Sequence, residues 1–307
     1  MNWLNRPAAP PTFWRGAAGV RTGWRAALFG AVLLGVLFAA ALVLARLAGP
    51  WLRASLAAGH VGPGFVIVNE LLLLIPVVGA TWLMAWLEGV SPWAFGLAGG
   101  RAGRHLGLGG ASALAALAAL LLGLAALGLG RFTPGGLAPL TALGYALLWG
   151  FACLLTGLAE ELCFRGYLQR ALGAGLGFWP AALITSLLFA LAHGLNRGES
   201  PVGFVTLFTA GLLLAFALWR TGGLWCAIGF HAAWDWGENF LFGTPDSGQL
   251  CAGTLWHFSA SGPGWLTGGL TGPEGSVLAL PALGAAALAV FLCVPRRPLA
   301  GNRVSTR

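Results

Sequence analysis

The apolar positions of this chain run on continuously instead of alternating. Eight such runs stand out, at about 26–46, 64–87, 107–129, 138–172, 178–196, 201–220, 223–242 and 276–294. Most come close to the roughly 20 residues that a helix needs to cross a bilayer. The strands of a membrane barrel would alternate between apolar and polar positions. In hydrocarbon each segment must satisfy its own backbone, so the runs predict helices. The fourth run is too long for a simple span, and its C-terminal part is expected to tilt or to lie past the apolar layer. The fold expected is all-α: one polytopic membrane domain of about eight transmembrane helices over 26–294. A tail at 1–25 precedes it and a basic tail at 295–307 follows. No soluble domain or internal repeat is visible.

Composition agrees with that pattern. Of 307 residues, 58% are hydrophobic and 8% charged, which excludes an ordinary soluble domain. The 49 glycines suit close helix approach in lipid. The formal charge of +8 comes from arginines scattered between apolar runs, as flanks of membrane segments are, and this argues against a nucleic-acid partner. With a cytoplasmic N-terminus, 13 arginines fall inside (6, 15, 21, 25, 101, 104, 165, 170, 220, 296, 297, 303 and 307). Four, Arg46, Arg53, Arg131 and Arg197, fall outside. That split predicts a multi-pass protein of the cell membrane with both termini cytoplasmic. The polar stretch before the first run is too long for a signal peptide, so that helix is expected to be a retained anchor. Asn2 stands where N-myristoylation needs glycine. Cys153, Cys163, Cys226, Cys251 and Cys293 form no C-x-x-C pair and are expected to pack as small hydrophobes.

The few charges in the apolar runs carry the chemistry. An ionised side chain at the centre of a membrane helix costs about 2.5–3.5 kcal/mol on insertion scales, so such groups usually pair, line a cavity or react. The stretch "AEELCFRG", 159–166, holds Glu160, Glu161 and Arg165. Glu161 and Arg165 are one turn apart in the favourable order for an ion pair, which leaves Glu160 without a partner. Further on, "FALAH" (189–193) puts Phe189 and His193 on one helix face, and "HAAWD" (231–235) does the same for His231 and Asp235. If the fourth and fifth helices form a hairpin turning near 173–177, Glu160 and His193 differ in depth by only about 4–5 Å. The three groups are expected to share one cavity between the fourth, fifth and seventh helices, opening toward the cytoplasm. There Glu160, helped by His193, can take a proton from water and pass it to a leaving amine, while His231 donates to an oxyanion. Glu160, His193 and His231 could equally hold a divalent metal, zinc first, with an open water position. Glu70 is expected near the outer end of the second helix, at the interface or lining the cavity. His60, His105 and His257 are expected in solvated loops, and Glu238 and Asn239 near the outer end of the seventh helix.

These residues resemble the CPBP family of CAAX proteases and bacteriocin-processing enzymes, also called Abi. "EELCFRG" is similar to its E-E-x-x-x-R motif, "FALAH" to F-x-x-x-H, and "HAAWD" to H-x-x-x-N/D. The resemblance in arrangement covers about 138–242. It implies an intramembrane endopeptidase acting on a peptide or protein substrate among membrane lipids. Glu160 would activate water together with His193, and Glu161 and Arg165 would be structural. His231 and residue 235 would bind the oxyanion or a metal. The eukaryotic prenyl-protein proteases carry Asn at the last position; the Asp235 found here could orient His231 or ligate metal instead. The family also contains members acting in bacteriocin immunity or as scaffolds, and a transporter is the remaining alternative; the absence of paired broken helices argues against it.

Overall fold

The structure is a computed structural model, and it describes residues 15–16, 19–57, 59–99 and 101–295. Most of both tails, with Arg6, Arg296, Arg297, Arg303 and Arg307, therefore lies outside the described residues. The chain is an all-α polytopic membrane protein. The long helices are α1 (Thr22–Ala57), α2 (Pro63–Glu88), α3 (Ala102–Ala126) and α4 (Pro139–Glu161). After α4 a π-helical turn, Leu162–Leu168, leads into α5 (Gln169–Leu176). Then come α6 (Phe178–His193), α7 (Pro201–Thr221) and α8 (Trp225–Trp236), which runs on as a π-helical turn, Gly237–Phe242. A single turn, α9 (Gly264–Thr267), and α10 (Ala279–Cys293) complete the chain. Five segments are long and apolar enough to cross a membrane: 22–55, 63–88, 102–126, 139–176 and 201–221. α6 and α10 are equally apolar but shorter.

Large apolar side chains face outward along these helices. Leu34, Phe38, Leu47, Ile75, Trp86 and Leu147 are all exposed, as expected where the solvent is lipid. The interior is closed by small residues. A methyl group added at Gly109 of α3 would collide with the Cys226 carbonyl of α8, and one at Gly229 of α8 with the Leu106 carbonyl of α3. On the other side of α8, a methyl at Gly157 of α4 would lie 3.0 Å from the Ile228 carbonyl oxygen. α8 is thus held against α3 and α4 nearly backbone to backbone.

The two ends of the bundle are distinct. At one end Arg170 of α5 donates to the Ala94 carbonyl (2.7 Å), the Leu224 amide to the Gly96 carbonyl (2.8 Å), and Arg220 of α7 to the Phe291 carbonyl of α10 (2.9 Å). At the other end lie the connections 59–62, 127–138, 194–200 and 243–278. There β3 (Gly130–Pro134) pairs with β4 (Trp256–Ala260), Val61 bridges to Cys251, and the Thr271 hydroxyl donates to the Gly198 carbonyl (2.8 Å). We call this second end the loop end. A further short pair, β1 (Arg15–Gly16) with β2 (Gly19–Val20), precedes α1.

The apolar pattern located the helices but not the pairing of β3 with β4, whose strands lie in stretches expected to be loops. The long fourth run, too long for a simple span, is two helices joined by the π-helical turn. The backbone leaves helical geometry at Gly166 (ψ −106°), where α4 gives way to α5. His105, expected in a solvated loop, is buried in the first turn of α3, and His257 sits on β4 beside the Thr254 hydroxyl.

Candidate active site

Glu160 and Glu161 are the last two residues of α4, immediately before the π-helical turn. Consecutive residues on a helix point about 100° apart, so the pair divides its tasks. Glu161 turns inward. Its Oε1 accepts from Arg165 Nη1 at 2.9 Å, and both side chains are fully buried. The guanidinium of Arg165 also lies over the Phe189 ring, 4.5 Å from its centroid. Gly211 of α7 leaves space for it: a methyl there would stand 3.0 Å from Arg165 Nη2. Glu160 points instead toward the end of α6 and the middle of α8. Its Oε2 lies 3.8 Å from His193 Nε2 and 3.8 Å from His231 Nε2, and this buried oxygen accepts no hydrogen bond among the described residues.

The two imidazoles are oriented differently. His193 Nδ1 is 2.8 Å from the Phe189 carbonyl. A carbonyl only accepts, so Nδ1 carries hydrogen and Nε2 is the free nitrogen facing Glu160 in the neutral ring. His231 Nδ1 is 3.1 Å from Glu161 Oε1, and its Nε2 lies 3.7 Å from Asp235 Oδ2. Glu161 thereby links Arg165 to His231. Phe189 touches the whole assembly: its ring is tilted against His193 (centroids 4.6 Å apart) and edge-on to His231 (6.0 Å).

All seven residues singled out in the three motifs therefore come together from α4, the π-helical turn, α6 and α8. The remaining carboxylates gather around them. Glu70 of α2 is buried and interacts electrostatically with Glu160, His231 and Asp246. Asp246 and Glu274 reach in from the loop end; burial pushes the Asp246 carboxyl above the usual carboxylate range and that of Glu274 up to about 7. Ser247 donates to Glu274 at 2.9 Å. A cavity of about 50 Å³ extends from His231 and Asp235 past Phe189 to Glu274. The polar groups thus continue toward the loop end, whereas the cavity was expected to open toward the cytoplasm, the side on which the 173–177 turn was placed. The reason is the length of α6: His193 is its last residue, so the chain leaves the helix at the site itself.

Asp246 and Glu274 belong to no helical pattern, and nothing local in the sequence singles them out. The one usable signal was scarcity, because the chain has only nine acidic residues. Glu238 and Asn239, expected at an outer helix end, are both buried. The possible metal set Glu160, His193 and His231 is not the tightest group of ligand atoms. Among the described residues that group is Asp235, Glu238 and Asp246, with one ligand atom from each all within 4.8 Å of one another.

A family model described as "Type II CAAX prenyl endopeptidase Rce1-like" matches residues 142–237. That span holds all three motifs and ends beside Asp235. No curated protein and no solved structure matches the chain.

Proposed function

We propose that the chain, whose residues 142–237 carry the Rce1-like region of the type II CAAX endopeptidases, is an intramembrane peptidase that hydrolyses a peptide bond with water activated by Glu160. The observation that carries the reading is the unpartnered Glu160 Oε2, faced by two imidazole Nε2 atoms at 3.8 Å each. These separations exceed a direct hydrogen bond yet let one water touch the carboxylate and a ring.

In this reading Glu160 accepts the proton of water as the oxygen attacks the carbonyl carbon. His193, with Nδ1 tied to the Phe189 carbonyl, presents Nε2 to the same water and holds it in line. As the imidazolium, His231 donates from Nε2 to the oxyanion of the tetrahedral intermediate. Glu160 then gives its proton to the leaving amine, the C–N bond breaks, and no covalent enzyme intermediate forms. Glu161 and Arg165 position His231 and take no part in proton transfer. Asp235 orients the far side of the His231 ring. The substrate is a peptide or protein segment reached within the membrane, with lipids around it. The arginine split supports a cell-membrane protein with both termini in the cytoplasm.

The test is cleavage of fluorogenic peptides by the purified protein, wild type beside Glu160→Gln. Turnover by the wild type that disappears in the variant is expected; equal turnover in both would overturn the reading.

A further inference from the structure

Asp235, Glu238 and Asp246 face one another at the junction of α8, its π-helical turn and the loop that follows. Glu238 is completely buried, and neither of its carboxylate oxygens accepts a hydrogen bond among the described residues. The Trp234 indole, one turn earlier, approaches it without hydrogen-bond geometry. A buried carboxylate with both oxygens unsatisfied is costly on its own. It is directed at two further carboxylates, not at a cationic side chain. Arg165, a fully buried arginine, is already committed to Glu161.

We infer that Asp235, Glu238 and Asp246 form a binding site for a hard divalent cation of the calcium class. All three donors are carboxylate oxygens, the ligand type that calcium takes and that zinc, which favours nitrogen and sulfur, does not select. The spacing fits as well. Two calcium–oxygen bonds of about 2.4 Å laid end to end span roughly 4.8 Å, and the ligand atoms all lie within 4.8 Å of one another. The π-helical turn is what brings Glu238 to Asp246: the Thr244 amide donates to the Glu238 carbonyl (3.1 Å), folding the chain back over the end of α8. Asn239 faces Asp246 from the same turn. The site is separate from Glu160 and His193 and shares only Asp235 with the motifs. Its occupation would fix Asp235 beside His231.

Terbium luminescence tests this, because Tb³⁺ replaces calcium at oxygen sites and Trp234 stands one turn away to sensitise it. The protein would be purified in detergent, stripped with EDTA and titrated with Tb³⁺, carrying Glu160→Gln so that peptidase activity has no bearing on the result. Expected are saturable sensitised emission at one ion per chain, its displacement by Ca²⁺, and a higher melting temperature with Ca²⁺. Glu238→Gln should weaken Tb³⁺ binding by about tenfold or more, while Glu199→Gln, outside the cluster, leaves it unchanged. Should Glu238→Gln fail to fold, Asp246→Asn decides, since it alters a loop residue; the same loss is expected. No sensitised emission and no calcium-dependent stabilisation, or undiminished Tb³⁺ binding in a folded cluster variant, would overturn the site.

Discussion

The guanidinium of Arg165 lies over the ring of Phe189, 4.5 Å from its centroid. One belongs to the first motif and the other to the second, so the contact fastens α6 to the end of α4 at the level of the chemistry. The same ring packs against His193 and His231. The Phe of "FALAH" is therefore the common wall on which the imidazoles and the buried ion pair are placed.

Removing the acid–base group should separate chemistry from folding. Glu160→Gln keeps the side-chain shape and removes the proton acceptor. We expect peptidase turnover to fall by about 10²–10⁴-fold, with the melting temperature nearly unchanged. An unaltered rate excludes Glu160 as the base.

Arg165→Met should do the reverse. The substitution removes the 2.9 Å ion pair of Glu161 and leaves only the His231 ring beside this buried carboxylate; breaking a buried pair typically costs about 3–5 kcal/mol. We expect a lower melting temperature and poor expression, read by fluorescence-detected size exclusion in detergent. Wild-type thermal stability would mean that the pair carries no structural weight.

The close contact of α3 and α8 gives a third expectation. Gly229→Ala drives a methyl into the Leu106 carbonyl and must push α8 away from α3. His231 and Asp235 ride on α8, so turnover and stability should fall together. A variant with normal activity and normal melting would show that this helix pair tolerates separation.

Glu274 predicts a pH dependence. Its folded carboxyl titrates at about 7, raised first by burial and then by Asp246 and Glu199, and opposed by His193 and the Ser247 hydrogen bond. The unfolded carboxyl titrates near 4.5. Between these values the folded chain holds a proton that the unfolded chain has released, so stability falls as pH rises through that window. In EDTA the melting temperature should rise as pH is lowered from 7 toward 5. Glu274→Gln should flatten the slope, and an unchanged slope assigns the effect to another group.

Reporter fusions after residues 10 and 305 test the orientation. Cytoplasmic signal at both is expected from the arginine distribution. A signal from the far side at either end would reverse it.

The helices and the motif residues were legible because each rests on a local regularity. Continuous apolar runs give membrane helices, and four-residue spacing gives a shared face. The ion pair of Glu161 with Arg165 followed from one turn of helix. What was not legible is what long-range packing decides. Asp246 and Glu274 reach the site from an irregular connection with no period to read. The pairing of β3 with β4 joins stretches more than a hundred residues apart. The direction in which the polar groups continue depended on where α6 stops, and the apolar run extends three residues beyond that point. Arg165, counted among the cytoplasmic flanks, is instead a buried partner of Glu161.

Of the nine acidic residues, Glu88 pairs with Arg25 near the arginine-rich end of the bundle. The other eight surround the site or line its approach from the loop end. All eight are buried or half-buried, whereas Arg53, Arg131 and Arg197, near that same end, are exposed. The acidic groups are therefore withdrawn from the surface that an approaching peptide first meets. Only a segment that enters between the helices comes within their reach, and there salt screens them much less than it screens charges at the surface.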